Sequence, residues 1–250
     1  MTKKAAYILT ALVLISFSSL AQRWRLARTE LTFGVGTANY FGDIGGSMER
    51  DKIGVMDLEF GSTRPNFNAG IRYRLTERIN IRGNFAYALL TASDKNSVNE
   101  ARNYSFNTHL LELYGHVEYS ITEEKPLSHH STMAIRSGLK RFGSRLNFFA
   151  FAGLGGSFFK PVAKDDLADS DRFVNNKNLA LVIPLGLGVK YPYTNQLYIG
   201  FELGGRFTTS DYIDGFTSDY SEANDIYYFT QISVAYKLEP KRTRSSRIRF

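Results

Sequence analysis

The sequence predicts an all-β fold: an eight-stranded antiparallel up-and-down transmembrane β-barrel with both termini in the periplasm. Three observations predict it. Apolar residues alternate with small or polar ones at period two along eight segments, each near the roughly 9–11 residues that carry a tilted strand across a bilayer. Long polar loops follow the odd segments, whereas two of the three links after even segments are tight. The chain also opens on an export signal.

That signal consists of Lys3 and Lys4, an apolar run over residues 5–17, and the small residues Ser18, Ser19 and Ala21 where a signal peptidase reads. The run is shorter than the roughly 20 residues a membrane-spanning helix needs, so cleavage after Ala21 is expected. No cysteine follows the cleavage point, which excludes a lipoprotein anchor. The chain is therefore divided into a signal peptide (1–21), a barrel (22–239) and a basic tail (240–250).

In the first segment, residues 30–37, Leu31, Phe33 and Val35 face one way and Thr32, Gly34 and Gly36 the other. The second sets Phe67, Ala69, Ile71 and Tyr73 against Asn68, Gly70, Arg72 and Arg74. After the turn Thr76-Glu77-Arg78, the third sets Ile79, Ile81, Phe85, Tyr87 and Leu89 against Asn80, Arg82, Asn84, Ala86 and Ala88. The fourth, residues 104–121, changes phase: Phe106, Thr108 and Leu110 share one face, then Leu111, Leu113, Val117 and Tyr119 share another. A β-bulge near Leu110 reconciles the halves. The fifth, residues 146–160, is apolar on both faces, so its orientation stays open. The sixth sets Leu181, Ile183, Leu185, Leu187 and Val189 against Pro184, Gly186, Gly188 and Lys190. The seventh opposes Leu197, Ile199, Phe201, Leu203 and Phe207 to Glu202 and Arg206, and the eighth opposes Tyr228, Ile232, Val234 and Tyr236 to Gln231 and Ser233.

Aromatics at the segment ends suit two interfacial girdles: Tyr40, Phe41, Tyr73, Tyr104, Tyr119, Tyr191, Tyr193, Phe207, Tyr227, Tyr228 and Tyr236. A soluble sandwich or lipocalin-like barrel has similar alternation. Two features count against it: the second face is crowded with Gly, Ala, Ser and Thr, which suits a narrow lumen, and the opposed charges all fall on that same face.

Those charges are the candidate lumen network, with Arg72, Arg82 and Arg206 paired against Glu112, Glu118 and Glu202. Eight strands leave a lumen that side chains fill, which excludes a wide pore. Isolated charges are costly away from water, so ion pairing is expected, with a proton relay as the functional alternative. His116 falls between Glu112 and Glu118 as an ion-paired packing histidine. His109, His129 and His130 complete the histidines.

No serine-centred alignment with a base, dinucleotide fingerprint or calcium-loop spacing occurs. Zero cysteine excludes a disulfide framework, a thiolate zinc site and a cysteine nucleophile. Asp165, Asp166, Asp169 and Asp171, and Asp211, Asp214 and Asp219, read as solvated loop clusters. The expectation is a non-enzyme with no catalytic residue, cofactor or metal. The formal charge of +7 is local: the signal peptide holds two cations and the tail five, leaving 24 basic against 24 acidic residues between them. A neutral exported body excludes nucleic acid as a partner.

Ordered motifs run along the chain: residues 39–46 (NYFGDIGG), Thr63-Arg64-Pro65 with Gly70-Ile71-Arg72-Tyr73, residues 102–106 (RNYSF) with Leu111-Glu112-Leu113, residues 151–156 (FAGLGG), residues 183–191 (IPLGLGVKY) and residues 206–214 (RFTTSDYID). Through them the chain resembles the PorG-like family of outer-membrane β-barrels in the Bacteroidota type IX secretion system. The resemblance implies a non-enzymatic barrel in the cell outer membrane. It would be tied to a periplasmic ring of a PorK-like lipoprotein and a PorN-like protein, and would support export of proteins with a C-terminal sorting domain.

Two basic regions suit such a partner. The link 122–145 carries Arg136, Lys140, Arg141 and Arg145, with Ile135, Leu139, Phe142 and Leu146 at helical spacing; a docking helix and a solvated turn both fit. The tail carries Lys241, Arg242, Arg244, Arg247 and Arg249 with no acid; such a run suits an acidic partner or lipid headgroups, and it is expected to dock onto the periplasmic ring. Two other functional readings stay open: a general structural or adhesin-like ligand-binding barrel, and a lipid-modifying barrel enzyme.

Overall fold

The computed structural model describes residues 28–42, 44–45, 62–95, 97, 100–122, 146–174, 178–216 and 224–238. Eight strands follow in chain order: β1 (Thr29–Phe41), β2 (Arg64–Arg74), β3 (Ile79–Ser93), β4 (Tyr104–Ser120), β5 (Asn147–Asp165), β6 (Leu179–Pro192), β7 (Leu197–Thr208) and β8 (Ile226–Lys237). Each pairs antiparallel with its sequence neighbour, and β1 closes the ring on β8 through pairs such as Phe33↔Val234. Closure leaves no edge strand whose backbone groups lack partners, which a lipid environment demands. The signal peptide, the link 123–145 and the tail from 239 onward lie outside the described residues.

Polarity is inverted relative to a soluble protein. Phe33, Leu113, Leu154, Leu179 and Leu187 are exposed on the outer wall, with Leu154 and Leu179 at 71% and 76%, while Arg72, Arg82, Glu118 and Glu202 are buried inside. Water rewards the opposite arrangement, whereas hydrocarbon around an apolar wall costs nothing, so the wall belongs in a bilayer. Among the described residues no helix is long and apolar enough to cross a membrane, and the strands do the spanning.

The interior explains three departures from the sequence reading. Strand β4 contains no bulge: Phe106, Thr108, Leu110, Glu112, Tyr114, His116, Glu118 and Ser120 all point inward in unbroken register with β3 and β5. The phase change came from Phe106 and Leu110, which are apolar yet line the lumen because the upper lumen is itself apolar. Strand β5 turns Phe149, Phe151, Ser157 and Phe159 inward and Leu154 and Phe158 outward. Tyr40 and Tyr227 are lumen residues rather than girdle members, and Tyr104 packs against the internal cluster.

Small residues make room for these large ones. A Cβ on Gly188 would lie 2.3 Å from the Phe149 ring, and one on Gly186 would lie 2.5 Å from Phe151. The glycines of β6 are thus the floor on which the β5 phenylalanines rest.

Candidate functional site

The lumen is built in two tiers. Toward the end bearing the chain termini, β2, β3, β4 and β7 each turn a charge inward. Arg72 holds Glu118 with two guanidinium nitrogens (Nε to Oε2 2.8 Å, Nη2 to Oε1 3.0 Å) and reaches Glu30 on β1 at 2.9 Å. Arg82 crosses to β7, donating to Glu202 at 2.7 Å, and lies 3.5 Å from Glu118. Gln231 and Ser233 of β8 donate to Glu202 at 3.0 and 3.1 Å, so donors from two different strands converge on its carboxylate. Lys190 of β6 lies 3.8 Å from Glu118 and 5.1 Å from the Phe149 ring. Charges this deep persist because each is paired, and Arg72, Arg82, Glu118 and Glu202 are hydrogen-bonded as well; leaving one alone costs about 3–5 kcal/mol.

Between the tiers, Arg206 stacks on Phe229 at 4.2 Å and donates to Tyr114 Oη at 3.3 Å and to the Gly204 carbonyl at 2.8 Å. Glu112 accepts from Tyr227 Oη at 3.0 Å, and its other oxygen lies 3.8 Å from Arg206 Nε, an ion pair without a direct hydrogen bond. His116 lies 3.4 Å from Glu118 and stacks between Tyr114 and Phe151.

A family model described as "Domain of unknown function (DUF6089)" matches residues 5–242. The chain belongs to this family. No curated protein sequence matches the chain. Among solved structures, the N-terminal β-barrel domain of Pseudomonas aeruginosa OprF is similar at 12% identity over 84% of this chain and 96% of that one (TM-score 0.40). Neisserial surface protein A is similar at 9% identity over 84% and 96% (TM-score 0.43). A major outer membrane protein of Thermus thermophilus is similar at 12% identity over 83% and 98% (TM-score 0.42).

The upper tier of this DUF6089 barrel is apolar and closed by loops. Ile44, Leu167, Ile213 and Phe216 come from three different loops and pack on Phe106, Leu110, Phe159 and Phe229. The β7–β8 loop is pinned inside: Thr108 Oγ1 donates to the Ile213 carbonyl at 2.6 Å, and Val174 N to the Gly215 carbonyl at 2.8 Å. Tyr40 Oη contacts Asp214 Oδ2 at 2.8 Å and also Asp225 Oδ1, while Asp225 Oδ2 accepts from Ile213 N at 2.8 Å. One phenol proton serves two carboxyls, so the second contact requires a proton on a carboxyl. Burial, followed by the neighbouring Asp214 charge, pushes Asp225 well above the usual carboxylate range. Asp214 is therefore a buried latch residue, not the solvated loop acid its sequence context suggests.

All six residues of the sequence-derived network lie in the lumen: Arg72, Arg82, Glu112, Glu118, Glu202 and Arg206. Glu30 and Lys190 join them without having been singled out. Glu30 precedes the apolar alternation by one position and signals nothing until β2 is laid beside β1, opposite Arg72. Arg74 sits at the rim, half-exposed and 3.9 Å from Glu30. The nine basic candidates from Arg136 to Arg145 and from Lys241 to Arg249 fall outside the described residues, as do His129 and His130. Among the described residues no group of His, Cys, Asp and Glu is arranged to hold a metal ion.

Proposed function

We propose that this barrel is a non-enzymatic anchor in the cell outer membrane that holds or helps assemble the periplasmic ring of the type IX secretion system. The observation that carries the reading is the filled lumen. Ion pairs span its lower tier and an apolar core under inturned loops fills its upper one, so the molecule suits a rigid post in a membrane better than a conduit. The motif resemblance supports the secretion role. In the same reading the signal peptide is cleaved after Ala21, the loops after odd strands face outward, and the termini face the periplasm. Both basic regions then attach at the periplasmic rim, since the link leaves β4 after Ser120 and enters β5 at Asn147, and the tail follows β8. On this reading Arg136, Lys140, Arg141, Arg145 and the tail cations belong to the side where a ring would dock.

Pull-down of the full chain from native membranes tests this. Recovery of a PorK-like lipoprotein and a PorN-like protein is expected; their absence, with the barrel folded and abundant, overturns the secretion role and favours a general structural or adhesin-like barrel.

A further inference from the structure

The outer wall of the barrel is almost free of charge, and the exceptions are gathered at one place. Among the described residues, outward-facing strand positions carry two formal charges, Lys160 and Lys164, both near the loop end of β5. Every other strand charge sits at an inward-facing register position, apart from Asp165, the exposed last residue of β5, which accepts from Ser105, the β4 residue opposite Lys164. Directly opposite Lys160 on β4 is His109, also exposed. Its Nδ1 is 2.8 Å from Tyr87 Oη of β3, which fixes the ring and leaves Nε2 turned to the surroundings. Lys164 is held against β4 in the same way: with the Asn107 amide oxygen turned toward it, the contact to Lys164 Nζ is 2.7 Å.

The level of this cluster is set by strand length. From the rim tyrosine Tyr119 to His109 is eleven residues, and register carries the same span from Ala150 to Lys160. Roughly 9–11 residues cross the hydrocarbon layer, so His109 and Lys160 lie where it gives way to headgroups. Below them the wall is apolar, with Leu111 paired to Phe158 and then Leu113. Cations above and an acyl-friendly wall below describe one half of a lipid contact, and the Asp165 carboxylate, at the end of β5 just beyond Lys164, is taken up by Ser105.

We infer that Lys160, Lys164 and His109, steadied by Tyr87 and Asn107, form a docking site for a phosphate-bearing lipid, with the headgroup phosphate on the cations and the acyl chains along Leu111, Phe158 and Leu113. With the loop end outward, the leaflet at this level is the outer one, and its phosphorylated lipid in a Gram-negative cell is lipid A. The inference rests on the orientation adopted under the proposed function and not on the secretion role. Each lysine at the headgroup level adds to the attraction for an anionic lipid.

The test uses the full-length protein in lipid-free detergent, titrated with bisphosphorylated lipid A, enzymatically dephosphorylated lipid A or phosphatidylglycerol, with bound lipid counted by native mass spectrometry. Wild type is expected to retain bisphosphorylated lipid A. Lys160→Ala/Lys164→Ala should bind roughly thirtyfold more weakly, given the attraction each lysine contributes near an anionic surface. Its heat-modifiable gel mobility should be unchanged, since neither amine supports the barrel. Unchanged affinity in the double variant, or equal retention of the dephosphorylated lipid, overturns the site. Equal retention of phosphatidylglycerol overturns the assignment to lipid A. Because the chain has no cysteine, Asp169→Cys reports orientation in whole cells. Labelling from outside without lipid A binding sinks the lipid site alone, whereas no labelling sinks the orientation and the lipid A assignment together.

Discussion

Arg82 Nη1 and Glu202 Oε1 lie 2.7 Å apart, joining β3 to β7 across the lumen between residues 120 positions apart in sequence. In a ring of eight strands these two are diametrically opposed, so the pair acts as a crossbeam that the sheet hydrogen bonds do not duplicate. Arg82→Met should lower stability by about 3–5 kcal/mol because it strands the Glu202 carboxylate. Urea unfolding in detergent reads the effect. Arg82→Met/Glu202→Leu should recover most of the loss, and a double variant no better than the single would show that the pair does not act as a unit.

Glu112 is the next case. It accepts from Tyr227 and faces Arg206. Glu112→Gln keeps the shape and removes the charge, so a loss of about 1–3 kcal/mol is expected from a buried partner left short. Full stability in the same unfolding assay would contradict the role of Glu112 in the network.

The latch at the loop end should depend on pH. Asp225 titrates well above an ordinary aspartate, so between about pH 4, where a free Asp gives up its proton, and its own elevated value, the latched form holds a proton that the released form does not. Stability of the latch is therefore greatest at low pH and falls as pH rises through that window. Amide exchange at Ile213 and Phe216, corrected for intrinsic pH dependence, should accelerate accordingly, and Asp225→Asn should flatten the profile.

A filled lumen should not conduct. Reconstituted in planar bilayers, the full chain is expected to show no steady ohmic current, because the Arg72–Glu118–Arg82–Glu202 lattice spans the lower tier with buried, paired side chains. A stable open level would mean that the interior rearranges.

Removing residues 240–250 takes away five cations and no acid. The shortened chain should fold with normal heat-modifiable mobility and, under the proposed function, lose co-purification with the ring proteins proposed as its partners. Retained co-purification would transfer the docking role to the link 122–145.

The strands were legible because a bilayer imposes its demand on every outward position, and Phe33, Ile71, Leu113 and Leu187 all obey it. Inward positions answer to one another instead, which is why β4 misled. Phe106 and Leu110 look lipid-facing until Ile213 and Phe216, more than a hundred residues later, are folded down onto them. The lumen charges were recognisable as a set, since charges gathered on one face of an alternating pattern have nowhere else to go. Their partnerships were not, because Arg82 and Glu202 become neighbours only when the barrel closes. Asp214 and Tyr40 are 174 positions apart, and nothing local to either marks the latch.

The two tiers of the lumen have different origins. The charged tier draws its members from strands alone, from Glu30 on β1 to Ser233 on β8, whereas the apolar tier borrows Ile44, Leu167, Ile213 and Phe216 from loops. Transplanting foreign loops onto this scaffold would thus leave its foundation intact and remove its ceiling. An exchange of the loops would reach the interior through Ile44, Leu167, Ile213 and Phe216.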